Sequence, residues 1–524
     1  MAIYSTIIRN ALIFDGSGHP PKKTDLGIAG DRISYVGDLT GESSAEEIDA
    51  SGLYLAPGFV DITNHSDTHW SLFNFPLQES LVKQGVSTIL GGNCGSSLAP
   101  IVSALDIENL QKWTDGNAIN INWQSAREFM DELKNHKFSV NFGTLAGHGT
   151  LRRASGMDIS LPADLEDVEK MVFLLEESLK DGVFGLSTAL GRGYALSADD
   201  NEMERLLASV KNFGGISKHH LENEGAGVVG AVSRIVSLAR ATGVKSHISH
   251  FKVLGRKSWP QHKIALEIIE RARDSGLELT ADFFPYTATG SNLYLLLPEW
   301  AIIGNLKEIA ERLASPSLRE KIINDLKSKT LHYEKIIVAR TLKDTNVAGK
   351  SLQNIAADAG LSPEEAILKL LLTNDLQVSI FNETISEENL LELASKDYTA
   401  ISSDGFGLGF GEAKNNLAHP RSFGAFTRAL RLLVKDKEIL TWEKAIRKMT
   451  GLPANIIGLE KRGLIREDFF ADIVLFDPEK ITDDADYKNP HRFSRGVEHL
   501  FINGQAVLSG GELTGKKSGK VILK

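Results

Sequence analysis

The sequence predicts an α/β protein whose main domain is a (β/α)8 barrel of the TIM type. Eight short segments rich in small and branched apolar residues occur along the chain, and stretches of helical period separate most of them. Such alternation is typical of parallel strands, and eight strand–helix units close into a barrel. The length of 524 residues leaves room for further units outside the barrel.

Short β-type segments with turn residues between them occur in the first and last parts of the sequence. They fall within residues 1–57 and recur in ADIVLFDP, VEHLFINGQAVLSGG and GKVILK. Because the first and last segments of a domain often lie close together, we expect 1–57 and 464–524 to form one small β-sandwich domain.

The region 58–463 carries the eight barrel strands. The predicted strands are 59–63, 87–90, 138–145, 183–188, 215–218, 244–249, 277–284 and 398–402. The interval between the last two is too long for a loop and contains amphipathic stretches such as SLREKIINDLKS. We therefore expect a mainly helical insertion at 293–395, between barrel strands 7 and 8.

The overall charge limits the classes of partner. The net charge is −10 and no block of basic residues occurs, so nucleic acids and anionic membranes are poor candidates. No apolar run approaches a membrane span, and the first residues lack the pattern of a signal peptide. We expect a cytoplasmic protein that acts on a small molecule, and the sequence leaves its oligomeric state open.

The only cysteine, Cys94, lies in the stretch STILGGNCGSSLAP. A lone cysteine excludes an intramolecular disulfide. The short apolar run reads as a buried strand and the glycines after it as a tight loop, which places the sulfur at the C-terminal rim of a barrel, where active sites of this fold are assembled. A small buried apolar side chain is the alternative interpretation of this cysteine.

Five further polar residues follow or close a predicted strand. With Cys94, the set is His65, Cys94, His148, His220, His250 and Asp404. Barrel closure brings strand ends together whatever their spacing in the sequence. Thiolate and imidazole are good zinc ligands, so the set indicates a zinc site with a carboxylate nearby.

Motifs along nearly the whole chain resemble those of the D-aminoacylase (N-acyl-D-amino-acid deacylase) family of the amidohydrolase superfamily. In chain order the similar motifs are APGFVD, GNCGSSLAP, GHGTLR, FGLSTAL, ISHFK, FPYTA, SSDG, AHPRSFGAFTR and ADIVLFDP. The resemblance implies zinc-dependent hydrolysis of the amide bond of N-acyl-D-amino acids, or of dipeptides with a C-terminal D residue.

The resemblance also implies roles for individual residues. Carried over by motif, Cys94, His220 and His250 hold one tight zinc ion and Asp404 is the general acid and base. The residues that grip the substrate carboxylate are then Lys252, Tyr286 and Arg421.

Two positions depart from the family pattern. The first barrel strand of the family ends in two histidines separated by one residue, whereas this chain has Thr63 and His65. Because a hydroxyl is a much poorer zinc ligand than imidazole, we expect a second metal position at His65 to be weak or absent. The motif HLENE carries Glu222 in place of an arginine and keeps Glu224 in the acidic position.

Two other functions stay open at this point. One is a cyclic-amide hydrolase of the dihydroorotase or hydantoinase type, although Thr63 and the FGLST segment supply neither the two histidines nor the lysine of that type. The other is an amidohydrolase-like scaffold that has lost catalysis. Retention of Cys94, His220, His250 and Asp404 argues against it.

Several further motifs have structural interpretations. Gly225 to Gly230 spells a dinucleotide-binding pattern, but no apolar strand precedes it and no acidic residue follows at the required distance. We expect those glycines to shape a loop of the barrel rim. Structural roles are also expected for His69, Trp70, His219 and His247.

Overall fold

A closed barrel of parallel strands lies at the centre of the computed structural model, which describes residues 4–102, 121–157, 161–191, 195–303, 306–329, 331–409 and 417–524. Barrel strands 1 to 8 are Phe59–Asp61, Val86–Gly91, Asn141–Thr144 continued by Ala146–Gly147, Gly185–Ala189, Ile216–His220, Lys245–Ile248, Leu279–Phe283 and Thr399–Ile401. Each pairs in parallel with its neighbour. All eight coincide with a strand predicted from the sequence.

The barrel closes between strands 8 and 1. Asp404 N donates to Thr63 O at 2.9 Å, and His65 N donates to Gly405 O at 2.8 Å. The residues that follow strands 1 and 8 therefore lie side by side at the C-terminal mouth.

Amphipathic helices surround the barrel. In Leu165–Lys180 a capping box begins at Asp164, and Val168, Met171 and Leu175 are buried. The helices after strand 1 that pack around the barrel are Ser71–Asn74, Glu79–Val82, Ala126–His136, His148–Ala154, Leu165–Lys180, Asp200–Asn212, Val228–Thr242, Gln261–Asp274, Glu387–Ser395, Arg421–Ala429, Trp442–Met449 and Gly451–Ile457, with a π-helical turn at Leu430–Asp436.

Strands from the first and last parts of the sequence form one nine-stranded sheet. Its strands are Tyr4–Ile13, Lys22–Ala29, Arg32–Gly37, Ser44–Asp49, Tyr54–Pro57, Ile473–Phe476, Val497–Ile502, Gln505–Ser509 and Glu512–Leu513. The two parts join where Tyr54–Pro57 pairs antiparallel with Ile473–Phe476. A buried apolar cluster that includes Ile8, Leu26 and Ile473 lines this sheet.

The segment GKVILK does not join that sheet. Val521 forms a parallel bridge with Phe142 of barrel strand 3, and Lys524 N donates to Gly182 O at 2.9 Å, just before barrel strand 4. The prediction that grouped GKVILK with the terminal strands is wrong on this point. Apolar alternation identifies a strand but does not specify its partner.

The segment between barrel strands 7 and 8 contains a sheet as well as helices. Three antiparallel strands, Ala288–Asn292, Ile336–Thr341 and Val378–Glu383, pair with one another. The helices are Leu306–Ala314, Pro316–Ser328, Leu352–Ala359 and Pro363–Thr373, with 3₁₀ turns at Leu293–Leu296, Glu299–Ala301, Tyr333–Lys335 and Thr345–Val347. These elements enclose an apolar core of their own.

The predicted insertion at 293–395 differs from the structure in two respects. Most of its residues in helices or strands are helical, but the prediction missed the sheet, whose first strand, Ala288–Asn292, begins before residue 293 and is polar without clear alternation. The helix Glu387–Ser395 belongs with the barrel, since its buried Leu390 and Leu393 pack in the barrel core.

Within the described ranges, no helix combines the length and the apolar character that crossing a bilayer requires.

Candidate metal centre and active site

Cys94, His220 and His250 meet at the C-terminal mouth of the barrel. Cys94 follows strand 2, His220 ends strand 5 and His250 lies just after strand 6. Their ligand atoms all lie within 4.8 Å of one another, and no other such group of His, Cys, Asp or Glu occurs among the described residues. The Cys94 Sγ is 3.3 Å from His250 Nε2, and the two imidazole ring centroids are 4.4 Å apart.

The backbone that presents these side chains has unusual conformations. Cys94, His250 and Asp404 have φ angles of 54°, 39° and 49°, in the left-handed region that non-glycine residues seldom adopt. Asp282 helps hold one of them, because its Oδ1 accepts the His250 backbone N–H at 2.7 Å. Gly92, with φ of 69°, lets the loop before Cys94 pass against the backbone of Leu145, where a Cβ would clash. Left-handed residues that the surrounding structure holds in place are typical of functional sites.

Asp404 links the cluster to a guanidinium group. Its Oδ1 is 3.1 Å from His65 Nε2, and its Oδ2 is 2.6 Å from Arg421 Nη1. His65 Nε2 is in turn 4.0 Å from Cys94 Sγ. A carboxylate, an imidazole and an arginine thus border the three-residue cluster on one side.

The charges of these groups support one another. Burial disfavours the Cys94 thiolate, but the surrounding imidazoles, His250 foremost, hold the pKa of the thiol well below its ordinary value. Burial also disfavours the Asp404 carboxylate, but Arg421 and His250 hold its pKa well below the usual range. Burial favours neutral His65, yet Asp404 and Cys94 raise the pKa of His65 to about 10. The site is built to keep a thiolate and a carboxylate ionised.

Lys252 lies beside the metal-binding residues. Its Nζ is 2.5 Å from Glu224 Oε1 and 2.9 Å from His250 Nδ1. Glu224 also approaches His220, with 3.7 Å between Oε2 and Nε2. Glu224 Oε1 also lies 3.4 Å from His250 Nδ1, the ring nitrogen that faces away from Cys94. A carboxylate at the second nitrogen of an imidazole is typical of metal-binding histidines.

Arg421 and Tyr286 lie at the start of the helix Arg421–Ala429. The guanidinium carbon of Arg421 is 4.9 Å from the ring centroid of Phe284, and Lys252 Nζ is 5.8 Å from the same centroid. The buried Tyr286 donates its hydroxyl hydrogen to Pro420 O at 3.3 Å. The three residues predicted to grip a carboxylate thus surround or adjoin Phe284.

His148 is the one residue of the predicted strand-end set that lies outside this site. Its Nε2 is 2.6 Å from Glu202 Oε1, and Arg152 also contacts that carboxylate. All three side chains are buried. The expectation that His148 joins the metal-competent group is wrong, because a buried ion pair on neighbouring helices holds it.

His219 and His247 are engaged within the barrel. His219 Nδ1 is 2.9 Å from Thr188 Oγ1, and His247 Nε2 is 2.7 Å from Asp282 Oδ2. Both side chains are fully buried. Their hydrogen bonds account for them without a metal.

The other motifs have structural partners. His69 stacks on Phe406 with ring centroids 4.0 Å apart, and Trp70 is fully buried. Glu222 Oε2 is 2.5 Å from an Arg234 guanidinium nitrogen.

In the glycine-rich stretch from Gly225 to Gly230, a nearby side chain accepts two of the backbone N–H hydrogen bonds. The backbone N–H groups of Gly225 and Gly227 both donate to Asn223 Oδ1, at 2.9 and 3.0 Å. Backbone donors of the kind that a phosphate would need are thus already used.

Sequence reasoning missed Lys218 and Asp282, which lie inside the barrel next to the site. Asp282 Oδ2 accepts the Thr63 hydroxyl at 2.5 Å, and Lys218 Nζ donates to Thr63 Oγ1 at 2.8 Å. The available signal was position, since Lys218 precedes His220 by two residues in strand 5 and therefore shares its inward face. A lysine at an inward-facing strand position is unusual and therefore indicates a functional or structural role.

The donor set of Cys94, His220 and His250 fits a zinc ion. One thiolate and two imidazoles are typical zinc ligands, and three protein ligands leave a position for substrate or water. The ligand atoms already lie within a few ångströms of one another.

Known proteins are similar to this chain in sequence and in fold. The amidohydrolase family model matches residues 417–508. N-acyl-D-aspartate deacylase of Alcaligenes xylosoxydans xylosoxydans is 30% identical over 517 residues, which cover 98% of this chain and 94% of the relative.

Two solved structures superpose on nearly the whole chain. N-acyl-D-glutamate deacylase from Bordetella bronchiseptica, complexed with zinc and a phosphonate inhibitor that mimics the tetrahedral intermediate, has a TM-score of 0.84 at 26% identity and covers 100% of both chains. A D-aminoacylase has a TM-score of 0.84 at 26% identity, covering 99% of this chain and 100% of its own. That D-aminoacylase is described as having a binuclear metal centre with one-metal activation and second-metal attenuation.

Proposed function

This chain belongs to the D-aminoacylase (N-acyl-D-amino-acid deacylase) family of the amidohydrolases, and from that premise we propose that it hydrolyses the amide bond of N-acyl-D-amino acids. Dipeptides with a C-terminal D residue are the second form of the same substrate class. The products are a carboxylic acid and a free D-amino acid. The observation that carries the proposal is the convergence of Cys94, His220 and His250 beside the Asp404–Arg421 pair.

We propose that Cys94, His220 and His250 hold one zinc ion tightly. When bound, the zinc ion supplies a positive charge that polarises the acyl carbonyl of the substrate. The low pKa of the Cys94 thiol supports this role, because only the thiolate is a metal ligand.

A second metal position would have only His65 as a ligand of its own and would share Cys94 with the first. His65 Nε2 already lies 3.1 Å from Asp404 Oδ1, and Thr63 points its hydroxyl at Asp282. The residues present do not fit a second tight ion, which supports one tight zinc per chain.

Asp404 is assigned the proton transfers. Its carboxylate borders the zinc ligands and is held ionised, so it can take a proton from the attacking water. It then returns that proton to the leaving amine. The left-handed backbone of Asp404 aims the carboxylate into the mouth of the barrel.

Arg421 is assigned to the substrate carboxylate, with Lys252 and Tyr286 as neighbours. A guanidinium can bind a carboxylate through two parallel hydrogen bonds, which fixes orientation as well as position. Because Arg421 Nη1 is only 2.6 Å from Asp404, a carboxylate bound there would place the adjacent amide next to the base. Holding the substrate at both ends makes the two possible positions of its side chain inequivalent, and stereoselectivity follows.

We further propose that the chain divides into a barrel unit at 58–463, to which residues 519–524 are joined, and a small β unit made from 1–57 and 464–518. The nine-stranded sheet shared by the two sequence ends supports this division. Its packing as a sandwich stays a prediction.

A panel of N-acetyl amino acids in both D and L forms tests the function. The zinc-loaded protein is expected to release free amino acid from D forms at least about 100-fold faster, as kcat/KM, than from the matching L forms. Dihydroorotate and a hydantoin serve as cyclic-amide controls. Turnover of the cyclic amides without turnover of any N-acetyl-D-amino acid would contradict the proposal.

A further inference from the structure

A buried lysine, Lys218, lies in the barrel interior beside the residues that follow strand 1. The Lys218 side chain is fully buried in the barrel interior. Its Nζ donates to Ile62 O and, at 2.8 Å, to Thr63 Oγ1, and it lies 3.7 Å from Asp282 Oδ2. The amidohydrolase reaction proposed above gives this lysine no part.

The position of the Lys218 Nζ matters because Thr63 lies where other members of the family have a histidine. Thr63 contacts Lys218 Nζ and His65 contacts Asp404, so both side chains that follow strand 1 lie on the inner side of the barrel mouth. Lys218 and His220 are two residues apart in strand 5 and share its inward face. An imidazole at position 63 would extend from the same Cβ into the space where the hydroxyl now meets Lys218 Nζ. Lysine and imidazole cannot both occupy that space.

Asp282 is no substitute ligand for a second metal. Its Oδ2 accepts the Thr63 hydroxyl at 2.5 Å and lies 2.7 Å from His247 Nε2. Its Oδ1 accepts the His250 N–H at 2.7 Å and the Ser402 hydroxyl at 2.8 Å. Both oxygens are therefore used within the protein.

We propose that Lys218 and Thr63 act as one unit that excludes a second divalent cation from this site. The lysine fills the space of the missing imidazole, and its Nζ holds the hydroxyl of Thr63, which is a poor metal ligand. The proposal rests on the function proposed above and specifies its metal stoichiometry. It implies that the metal attenuation described for a D-aminoacylase with a binuclear centre does not occur here.

The unit makes a specific prediction for substitutions. Thr63→His alone should not create a second site, because Lys218 still occupies the space that the imidazole needs. Thr63→His combined with Lys218→Ala should create one. Thr63→Val combined with Lys218→Ala is the matched control, since it removes the lysine without adding a ligand.

The experiment measures bound zinc per chain by elemental analysis after equilibrium dialysis against excess zinc, together with the zinc-dependent rise in the apparent Tm. Wild type, Thr63→His and the valine control are expected to bind about one zinc, and Thr63→His/Lys218→Ala about two. Two zinc ions in Thr63→His alone, or only one in the histidine–alanine double variant, would overturn the proposal. Circular dichroism establishes that each variant is folded.

A titration of the wild-type protein does not depend on any variant folding. Excess zinc is expected to leave the turnover of an N-acetyl-D-amino acid within about twofold of its one-zinc value. Binding of a second tight zinc ion by the wild type would also overturn the proposal. Failure of the proposed function gives a different result, namely no zinc bound or no D-specific hydrolysis in the wild type.

Discussion

Cys94 combines a thiol whose pKa the neighbouring imidazoles lower with a left-handed backbone, and both features suit a metal ligand. Cys94→Ala removes the one sulfur ligand, so zinc content after dialysis should fall from about one per chain to below about 0.2. His148→Ala removes a buried histidine outside the cluster and serves as the control for zinc content. Full zinc content with normal turnover in Cys94→Ala would show that the cysteine is not a ligand.

Asp404 is expected to act on protons and to contribute little to metal affinity. Asp404→Asn keeps the shape of the side chain but cannot accept the proton of water. A positioned general base contributes typically 10² to 10⁴ in rate, so kcat/KM for an N-acetyl-D-amino acid should fall by at least about 100-fold. Zinc content measured on the same sample should stay near one per chain. A variant within a few-fold of wild type would exclude the role.

Arg421 should determine recognition of the free carboxylate. Arg421→Ala is expected to cost about 2 to 5 kcal/mol in kcat/KM, and Arg421→Lys somewhat less, because lysine keeps the charge but loses the two-pronged hydrogen bonding. Arg495 is a suitable control, since it is exposed and pairs with Asp484. The methyl ester of the substrate should be poor even for wild type. Equal cleavage of ester and free acid, unaffected by Arg421→Ala, would rule out the carboxylate contact.

At the level of single elements, the helix Trp442–Met449 places a buried lysine against barrel strand 8. Lys448 Nζ donates to Lys396 O and also to the carbonyl and hydroxyl oxygens of Thr399, at 3.0 and 3.1 Å. Burial, with smaller contributions from neighbouring Arg447 and Lys444, lowers the pKa of Lys448 to about 7. The unfolded chain therefore binds more protons than the folded chain between about pH 7 and the ordinary lysine value.

Stability should then rise with pH across that window, at up to about 1.4 kcal/mol per pH unit from this group. Lys448→Met removes the titration, so the difference in apparent Tm between wild type and variant should increase in favour of wild type from pH 7 to pH 9. Both proteins are compared zinc-loaded and at one scan rate. A difference that stays flat over that range would contradict the assignment.

The sequence predicted the positions of the barrel strands better than the elements of the insertion. Strand positions such as Val86–Gly91 follow from short runs of small and branched apolar residues, and glycines such as Gly92 mark the bends after them. The sequence does not show which residues contact one another across different strands. Nothing in HLENE or ISHFK shows that Glu224 meets Lys252, and the Lys218–Thr63–Asp282 contacts join three strands that are remote in sequence.

At the scale of the whole molecule, the segment 519–524 ties the last part of the sequence to the barrel. Gly519 N donates to Phe138 O at 2.9 Å, Phe142 N donates to Lys520 O at 2.9 Å, and Ile522 N donates to Phe142 O at 2.8 Å. A Cβ on Gly519 would collide with the backbone of Val140.

Gly519→Ala and a chain shortened to end at Ser518 should both lower the apparent Tm by several degrees, because each backbone hydrogen bond contributes about 0.5 to 1.5 kcal/mol. Zinc content should be unchanged. Lys517→Ala, next to the segment but exposed, is the control. A Gly519→Ala protein as stable as wild type would show that the segment adds little to the barrel.

The same segment sets the order in which the molecule can be completed during synthesis. The ribosome makes barrel strand 3 early and residues 519–524 only after all eight strands. Phe142 therefore lacks its bridge to Val521 while most of the chain is translated. The nine-stranded sheet has the same dependence, because Tyr54–Pro57 waits for Ile473–Phe476. The nine-stranded sheet therefore cannot be completed until both ends of the chain have been made, and the apolar strand Tyr54–Pro57 lacks this partner until then.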